Sequence, residues 1–448
     1  MDIREVSPHS LVVSTEDYKR SMDASSGKAR WHFFGEVGLH HSHPSLLVGA
    51  VIALQRPCIQ GGSVSEVGTR IARKSCAIVE CYTHHDEVYL TTVCLLKQLG
   101  YDVHVFNVWR NRMKNSFVYA PGLKPRIHSS LTAARVLEVV SEQRFDLVVF
   151  NTFEGAEVLS CARDILQHTP ALGFIHNGNL VCNLKDYEPY LKDPRCRLMV
   201  LAPYVGAHFA HLAPSNTVTP VFFFDEPVPR IARTAARRRF CVQGYFDPKR
   251  RHYDELLAAL KTLRGEGRTD FEVYVMGRSF DRRFRDFARR VREAGLGSHV
   301  RYTWKGIGYR SYYRLLNSTD FILPLISPES HGRYFESKST SSIAAAVGFN
   351  AVPVTHELLA QHYSLGDSAI TYTTDLLSAL RHALEMSDHD LAAMRGRLAA
   401  VKQRLLGNSL RELETAIKAV SADFATQDVR PSEVAVDHRN AQYEIQVV

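Results

Sequence analysis

Hydroxyl groups and one lysine crowd the start of a small-residue segment late in the chain. Ser337 to Ser342 reads SKSTSS, and Ile343 to Gly348 follows as a run of small apolar residues typical of a buried helix. The unpaired backbone N–H groups and the positive end of a helix dipole favour bound phosphate. We therefore predict a diphosphate site made by Lys338, Ser339, Thr340, Ser341 and Ser342. A plain Ser/Thr helix cap without a ligand is the alternative.

A second polar cluster follows an apolar run in the first half. Ser75 to Tyr82 suits a buried strand, and Thr83 to Glu87 (THHDE) is the polar loop after it. Proton abstraction from a hydroxyl group needs a neighbouring base, and histidine or carboxylate side chains can serve. Within this loop, the candidate catalytic residues are His85, Asp86 and Glu87, with His84 beside them. Alternatively, Glu87 caps the next helix and one histidine is simply solvated. His176 and Asn177 are secondary candidates.

Strand and helix patterns alternate on both sides of an arginine-rich segment. The predicted strands and helices hold the two polar clusters in place. Apolar runs alternate with segments of helical periodicity from Ser75 to Ala202, and the alternation restarts from Arg239 to Thr355. Asp225 to Arg239 lies between them, has two prolines and five arginines, and is typical of an interdomain linker. The pattern predicts an α/β protein with two Rossmann-like, doubly wound domains that face a cleft.

The length of 448 residues allows two large domains. The predicted segments are a poorly ordered N-terminus at 1–30, an N-terminal Rossmann-like acceptor domain at 31–225, a linker at 226–238, a C-terminal Rossmann-like donor domain at 239–390, and C-terminal helices with a polar tail at 391–448. Ligands are expected outside the carboxyl ends of the strands, where both polar clusters fall.

Four segments of the second half together carry a resemblance to a known family. They are a strand ending in Gly244 with a basic turn (Asp247 to Arg250), a strand ending in Gly277, the stretch Val300 to Leu325, and the stretch Glu336 to Thr355. Their succession is similar to the donor-binding domain of GT-B glycosyltransferases. The resemblance covers Arg239 to Thr355 in motifs and Lys74 to Ala202 in architecture.

This resemblance implies that the second domain binds a nucleoside-diphosphate sugar as the donor. Besides the hydroxyl-rich turn, the implied donor-binding residues are Gly244, Lys249, Arg250, Gly277, Gly306, Tyr309 and Glu336. Glu336 would lie beside the ribose. The large retaining group carries a second glutamate eight positions later, where this chain has Ala344. Counted back from Gly348 instead, the place of that glutamate falls near Ser342 or Ile343. Inversion is expected if His85, Asp86 or Glu87 acts as base, and a retaining path guided by the leaving phosphate if none does.

The resemblance also bears on cofactors and partners. GT-B enzymes generally manage the leaving diphosphate with helix dipoles and basic side chains, so we expect no essential metal and no cofactor beyond the donor substrate. His40 to His43 (HHSH) has no acidic or sulfur partner at ligand spacing, which disfavours a metal there. The expected acceptor is a hydroxyl group on a glycan, a lipid-linked glycan or a protein, consistent with a role in glycan biosynthesis.

Composition leaves two competing functions open. The net charge of +8 favours anionic partners, including a membrane surface in peripheral contact. A nucleic-acid-binding protein is one alternative, but the arginines from Arg278 to Arg292 follow helical spacing and predict a solvated helix face. A sugar-nucleotide epimerase using Glu329, His331 and Glu336 is the other. With neither a secretory signal nor an apolar run of ~20 residues, we expect a cytoplasmic protein.

Overall fold

The computed structural model describes residues 74–82, 85–108, 116–129, 132–183, 185–232, 237–277, 282–303 and 306–426. All of these residues belong to one structural unit. The predicted N-terminal segment at 1–30, the histidine-rich segment His40 to His43 and the polar tail after residue 426 lie outside the described residues.

The first sheet contains seven parallel strands among the described residues, in the order β3-β2-β1-β4-β5-β6-β7. The strands are β1 (Ser75–Glu80), β2 (Asp102–Asn107), β3 (Arg126–Ser129), β4 (Leu147–Phe150), β5 (Ala171–Ile175), β6 (Cys196–Val200) and β7 (Ser215–Thr217). The helices between them are α1 (Asp86–Gln98), α2 (Ala133–Glu142), α3 (Ala156–Leu166), α4 (Gly178–Asn183), α5 (Glu188–Lys192) and α6 (Pro203–His208). The order of the first six strands is that of a doubly wound dinucleotide-binding fold.

Burial on both faces explains why β1 is almost continuously apolar. Ala77 and Val79 belong to one hydrophobic core, and Cys76 and Ile78 belong to the core on the opposite face. Each of the four side chains is at most 1% exposed. Successive side chains of a strand point to opposite faces, so a parallel sheet covered by helices needs apolar residues at every position.

The second sheet contains six parallel strands among the described residues, in the order β10-β9-β8-β11-β12-β13. The strands are β8 (Arg238–Gln243), β9 (Phe271–Met276), β10 (Val300–Tyr302), β11 (Phe321–Ile322), β12 (Val352–His356) and β13 (Ile370–Tyr372). The accompanying helices are α7 (Tyr253–Gly265), α8 (Arg282–Glu293), α9 (Tyr309–Asn317), α10 (Pro328–His331), α11 (Arg333–Glu336), α12 (Ser341–Phe349), α13 (Glu357–His362) and α14 (Leu376–Glu385). The predicted fold class, with two Rossmann-like domains, is confirmed.

A long terminal helix, α15 (Asp388–Thr426), connects the two sheets. Near its start, Arg395 forms an ion pair with the buried Asp320 at 2.9 Å, beside the second sheet. Further along, Glu412 accepts a 2.7 Å hydrogen bond from Asn216 of β7 in the first sheet. The helix therefore fixes one domain against the other. Among the described residues, no helix is both long and apolar enough to cross a membrane.

The arginine-rich segment between the sheets is packed along part of its length. The backbone N–H of Ile231 donates a 2.6 Å hydrogen bond to the Ser318 hydroxyl, and Val228 and Ile231 pack against a hydrophobic core. Arg238, the last residue of the predicted linker, is already the first residue of β8. The predicted domain boundaries remain predictions.

Candidate active site

A cavity of about 1050 Å³ opens between the carboxyl ends of the two sheets. From the second sheet it is lined by Gly244, Gly277 and Thr303, which follow β8, β9 and β10. From the first sheet it is lined by His176 and Leu201, which follow β5 and β6. The carboxyl edge of a parallel sheet is where α/β proteins bind their ligands. The cavity therefore lies where the sequence places a ligand site.

The hydroxyl-rich turn opens α12 at the wall of this cavity. Lys338, Ser339, Thr340 and Ser341 all line it. Thr340 is the N-cap residue, and its hydroxyl accepts a 3.3 Å hydrogen bond from the backbone N–H of Ser342. The other N–H groups of the first turn lack partners within the helix, as at any helix start. Together with the helix dipole and the Lys338 ammonium group, they make this wall suited to phosphate.

Two residues that the sequence analysis did not single out support this turn. The Gln243 amide oxygen accepts hydrogen bonds from the Ser341 and Ser342 hydroxyls at 3.4 and 3.3 Å. The Arg251 guanidinium donates to the Ser342 hydroxyl at 3.2 Å and also to the Pro324 carbonyl oxygen. Both residues line the cavity. Arg251 therefore adds a fixed positive charge beside the helix start, whereas Ser342 is fully buried as a support.

Three predicted glycines line the cavity, and backbone geometry explains each of them. Gly244 and Gly306 have φ values of 109° and 78°, in the left-handed region that favours glycine. A Cβ atom at Gly277 would lie 2.0 Å from the carbonyl oxygen of Gly244. The glycines therefore allow a close backbone approach between adjacent strand ends at the cavity wall.

The remaining predicted donor residues divide into two groups. Arg250 and Tyr309 line the cavity, and Arg250 is paired with Asp247 at 3.2 Å. Lys249 and Glu336 are exposed and lie outside the lining that the described residues form. The structure thus places Glu336 at the end of the short helix α11 and brings Arg250, but not Lys249, to the cavity.

The donor side of the cavity is tied directly to the first sheet. Asn177 and Lys338 form an isolated antiparallel bridge, and the Gly178 N–H donates to the Ser337 carbonyl oxygen at 2.7 Å. The Glu154 carboxylate accepts hydrogen bonds from the backbone N–H groups of His176 and Asn177 at 2.8 and 2.9 Å. Burial raises the pKa of Glu154, while these two bonds and the charge of Lys338 oppose the shift.

His85 lines the same cavity from the first domain, whereas the hydroxyl-rich turn Ser337 to Ser342, called the donor turn below, lines it from the second. It is the N-cap residue of α1 and has a left-handed backbone, with φ 73°. Its ring nitrogen Nδ1 lies 3.0 Å from the Thr152 hydroxyl, and its ring stacks on that of His176 with 3.6 Å between the centroids. Asp86 and Glu87 form the first turn of α1, where acidic residues complement the helix dipole. Their side chains, like Thr83 and His84, lie outside the described residues.

The residues considered for an epimerase do not converge on this cavity. Glu329 and Glu336 are exposed, and His331 is buried at the end of α10, beside the basic turn. None of the three is part of the lining formed by the described residues. Within the same residues, no three His, Cys, Asp or Glu side chains gather into a group that could hold a metal ion.

Solved structures with this architecture include several glycosyltransferases. HepE from Anabaena, crystallised in complex with UDP and glucose, superimposes with a TM-score of 0.54 and 12% sequence identity, over 77% of this chain and 99% of that one. A glycosyltransferase from Rickettsia africae gives 0.53 and 11%, over 78% and 99%. The N-terminal domain of trehalose-6-phosphate phosphatase from Candida albicans gives 0.51 and 11%, over 78% and 100%.

Sequence comparison adds no closer relationship. No family model matches the chain, and no curated protein matches it significantly. At identities of 11% to 12%, the structural likeness establishes the fold. The chain therefore has the GT-B fold, in which two Rossmann-like domains face each other across a cleft.

Proposed function

We propose that this protein is a glycosyltransferase that moves a sugar from a nucleoside-diphosphate sugar to an acceptor hydroxyl group. One observation carries the proposal: the same interdomain cavity is lined by the start of α12, which suits phosphate, from the second domain and by His85 from the first. Lys338, Arg250 and Arg251 supply positive charge on the wall formed by the second domain, and His85 lies on the wall formed by the first. The structures of HepE with UDP and of the Rickettsia glycosyltransferase support it by fold.

The donor wall suits the charge that develops during transfer. As the bond between the anomeric carbon and the phosphate oxygen breaks, negative charge accumulates on the departing diphosphate. Backbone N–H groups at the start of α12 and the nearby Lys338 and Arg251 side chains are already oriented in the structure. Electrostatic groups fixed in advance need little reorganisation in the transition state, which makes this the largest contribution we expect from the protein.

The acceptor wall suits proton removal by His85. The acceptor oxygen attacks the anomeric carbon, its proton passes to the histidine ring, and the nucleoside diphosphate leaves with the bonding electrons. A single displacement of this kind inverts the anomeric configuration. Ala344, at the position where the retaining group has its second glutamate, lines the same cavity, which agrees with an inverting reaction. We propose a glycan, lipid-linked or protein acceptor, and no metal requirement.

Nucleotide binding provides the first test. A panel of nucleoside diphosphates and sugar nucleotides, including UDP and UDP-glucose, is screened by thermal shift, since a ligand that binds only the folded state raises the melting temperature. At least one should raise it. The double variant Lys338→Ala/Ser339→Ala should lose that response while its circular dichroism spectrum stays unchanged. Lys261→Ala, an exposed change on α7, is the matched control.

Product analysis separates the competing reactions. With the sugar nucleotide that binds, slow release of nucleoside diphosphate in the absence of acceptor supports a transferase, whereas an epimerised sugar nucleotide indicates an epimerase. Activity that survives EDTA supports the absence of a metal requirement. If no nucleotide of the panel binds, or if the double variant binds as tightly as the wild type, the proposed donor site is wrong.

A further inference from the structure

A buried carboxylate lies behind His85, at the end of β1. Glu80 is 0% exposed, although the four residues before it in β1 are apolar. Its Oε1 accepts a 2.7 Å hydrogen bond from the Tyr82 N–H. Its Oε2 accepts one from the Asn151 amide at 2.8 Å and one from the Thr152 hydroxyl at 2.7 Å. A buried carboxylate is costly unless hydrogen-bond donors surround it, and these three donors reduce that cost.

Thr152 connects this carboxylate to His85. A threonine hydroxyl carries one hydrogen and can accept through its oxygen. Because Thr152 donates its hydrogen to Glu80, its oxygen must accept at the 3.0 Å contact with Nδ1 of His85. The proton of the neutral His85 ring is therefore assigned to Nδ1, and Nε2 holds the lone pair.

The backbone of His85 is held by the same group of residues. The Asn151 amide that donates to Glu80 also contacts the His85 carbonyl oxygen at 3.3 Å. His85 has a left-handed φ of 73°, a conformation that costs a non-glycine residue of the order of 1 kcal/mol. Strain of this kind persists when the surroundings fix it, and here Asn151 and the first turn of α1 do so.

A second histidine limits how the His85 ring can turn. His176 stacks on it with centroids 3.6 Å apart and planes inclined by 19°. The Nε2 of His176 lies 2.7 Å from the Asn151 carbonyl oxygen, so it carries a hydrogen and holds its own ring in place. The His85 ring is thus held in its plane by the stack and in its tautomer by Thr152.

We propose that Glu80 and Thr152 are positioning residues that hold His85 in the Nδ1–H tautomer, so that Nε2 can accept the proton of the acceptor hydroxyl. This inference rests on the proposed glycosyl transfer. The acceptor proton moves to Nε2, His85 becomes an imidazolium, and the Thr152 oxygen continues to accept from its Nδ1–H while the Thr152 hydrogen stays on Glu80. The proton later leaves to solvent, and no proton moves to Glu80.

The tautomer can be measured without any substrate. Nitrogen-15 NMR distinguishes the protonated from the unprotonated ring nitrogen, and His85→Gln assigns the His85 signals by their loss. The wild type should show protonated Nδ1 at neutral pH. Thr152→Val, which keeps the shape but removes the hydroxyl, should convert His85 to the Nε2–H form that free histidine prefers in water. Thr152→Ser should restore the wild-type spectrum. Protonated Nε2 in the wild type, or an unchanged spectrum in Thr152→Val, overturns the proposal.

Kinetics provide the functional half of the test. Removal of a general base costs roughly 10²–10⁴-fold in rate, which we expect for His85→Gln. Thr152→Val should lower kcat at least tenfold while the affinity for the donor nucleotide, measured by calorimetry, stays within about twofold. Thr152→Ser should recover most of the rate. Equal kcat in Thr152→Val and wild type contradicts the positioning role, whereas absence of nucleotide binding in the wild type contradicts the proposed function instead.

Discussion

The Tyr204 hydroxyl donates a 2.9 Å hydrogen bond to the backbone carbonyl oxygen of Lys338, from one domain to the other. A side-chain hydrogen bond also links Tyr204 to Tyr363, whose hydroxyl accepts from the Thr340 N–H at 3.4 Å. Lys338 and Thr340 of the donor turn are therefore both held by this pair of tyrosines. The position of the first domain and the geometry of the donor site are coupled through this pair.

Loss of the Tyr204 hydroxyl should weaken donor binding. One buried hydrogen bond contributes about 1 kcal/mol, so Tyr204→Phe should weaken nucleotide affinity about fivefold and lower stability by a similar free energy. Isothermal titration calorimetry and urea unfolding measure the two effects.

Tyr190→Phe is the matched control, because Tyr190 donates to the Leu159 carbonyl oxygen in the first domain, away from the cavity. It should lose stability but keep full nucleotide affinity. Equal affinity in both variants contradicts the coupling.

Most strands of both sheets could be predicted from the sequence, because buried parallel strands are recognisable as runs of apolar residues. The strand predicted at Ser75 to Tyr82 contains β1, and the buried helix predicted at Ile343 to Gly348 lies within α12. Strand β3 was not predicted, since Arg126–Ser129 is a partly exposed edge strand with no apolar run. Helix α14 was not predicted either, although the Asp375 side chain caps its start by accepting a hydrogen bond from the Ser378 N–H.

The site was predictable only where local sequence determines it. The donor turn could be located from its hydroxyls and from the helix that follows. Glu80 was missed because one carboxylate inside an apolar strand gives no sign of its partners, and Thr152 lies 72 residues away. Tyr204 and Tyr363 reach the turn through long-range packing, which no local pattern encodes. For Glu80, the only signal in the local sequence was a single glutamate at the end of an apolar strand.

The close approach at Gly277 gives a prediction on stability. A Cβ atom there would lie 2.0 Å from the Gly244 carbonyl oxygen, so the two strand ends would have to separate. We expect Gly277→Ala to lower the free energy of unfolding by about 1–3 kcal/mol and to weaken nucleotide binding.

Gly265→Ala is the control for this change. Gly265 ends α7, and an added Cβ there meets no atom within 4 Å. Its stability should stay constant or rise by up to about 1 kcal/mol, because alanine favours helices over glycine. If urea unfolding gives the two variants the same stability, the close contact is not a constraint.

The N-cap of α12 should serve both folding and binding. Thr340→Ala removes the cap and should cost about 1 kcal/mol of stability, and it should also weaken nucleotide affinity because Thr340 lines the cavity. Thr340→Ser keeps the hydroxyl and should behave as the wild type.

Thr132 caps α2 in the same way, accepting from the Arg135 N–H, but lies away from the cavity. Thr132→Ala should therefore lose similar stability and leave nucleotide affinity unchanged. Chemical denaturation and calorimetry distinguish the two caps. Full affinity in Thr340→Ala would show that the helix start does not contact the ligand.

His331 should make the fold sensitive to mild acid. Burial lowers the pKa of His331 to about 4, and the neighbouring His252 and Arg251 charges add to the shift, while the Lys249 backbone and Asp247 oppose it. Between the ordinary value of 6.5 and about 4, the unfolded chain binds a proton that the folded chain does not. Stability therefore falls as the pH drops through this window, by about 2 kcal/mol at pH 5.

The variant His331→Gln lacks this titration, so the stability difference between wild type and variant should shrink by about 2 kcal/mol from pH 7 to pH 5. Urea unfolding at both pH values measures it. The prediction depends on folding keeping the proton off His331. If the difference in free energy of unfolding between wild type and variant is the same at both pH values, His331 accepts the proton in the folded state as well, and the prediction is wrong.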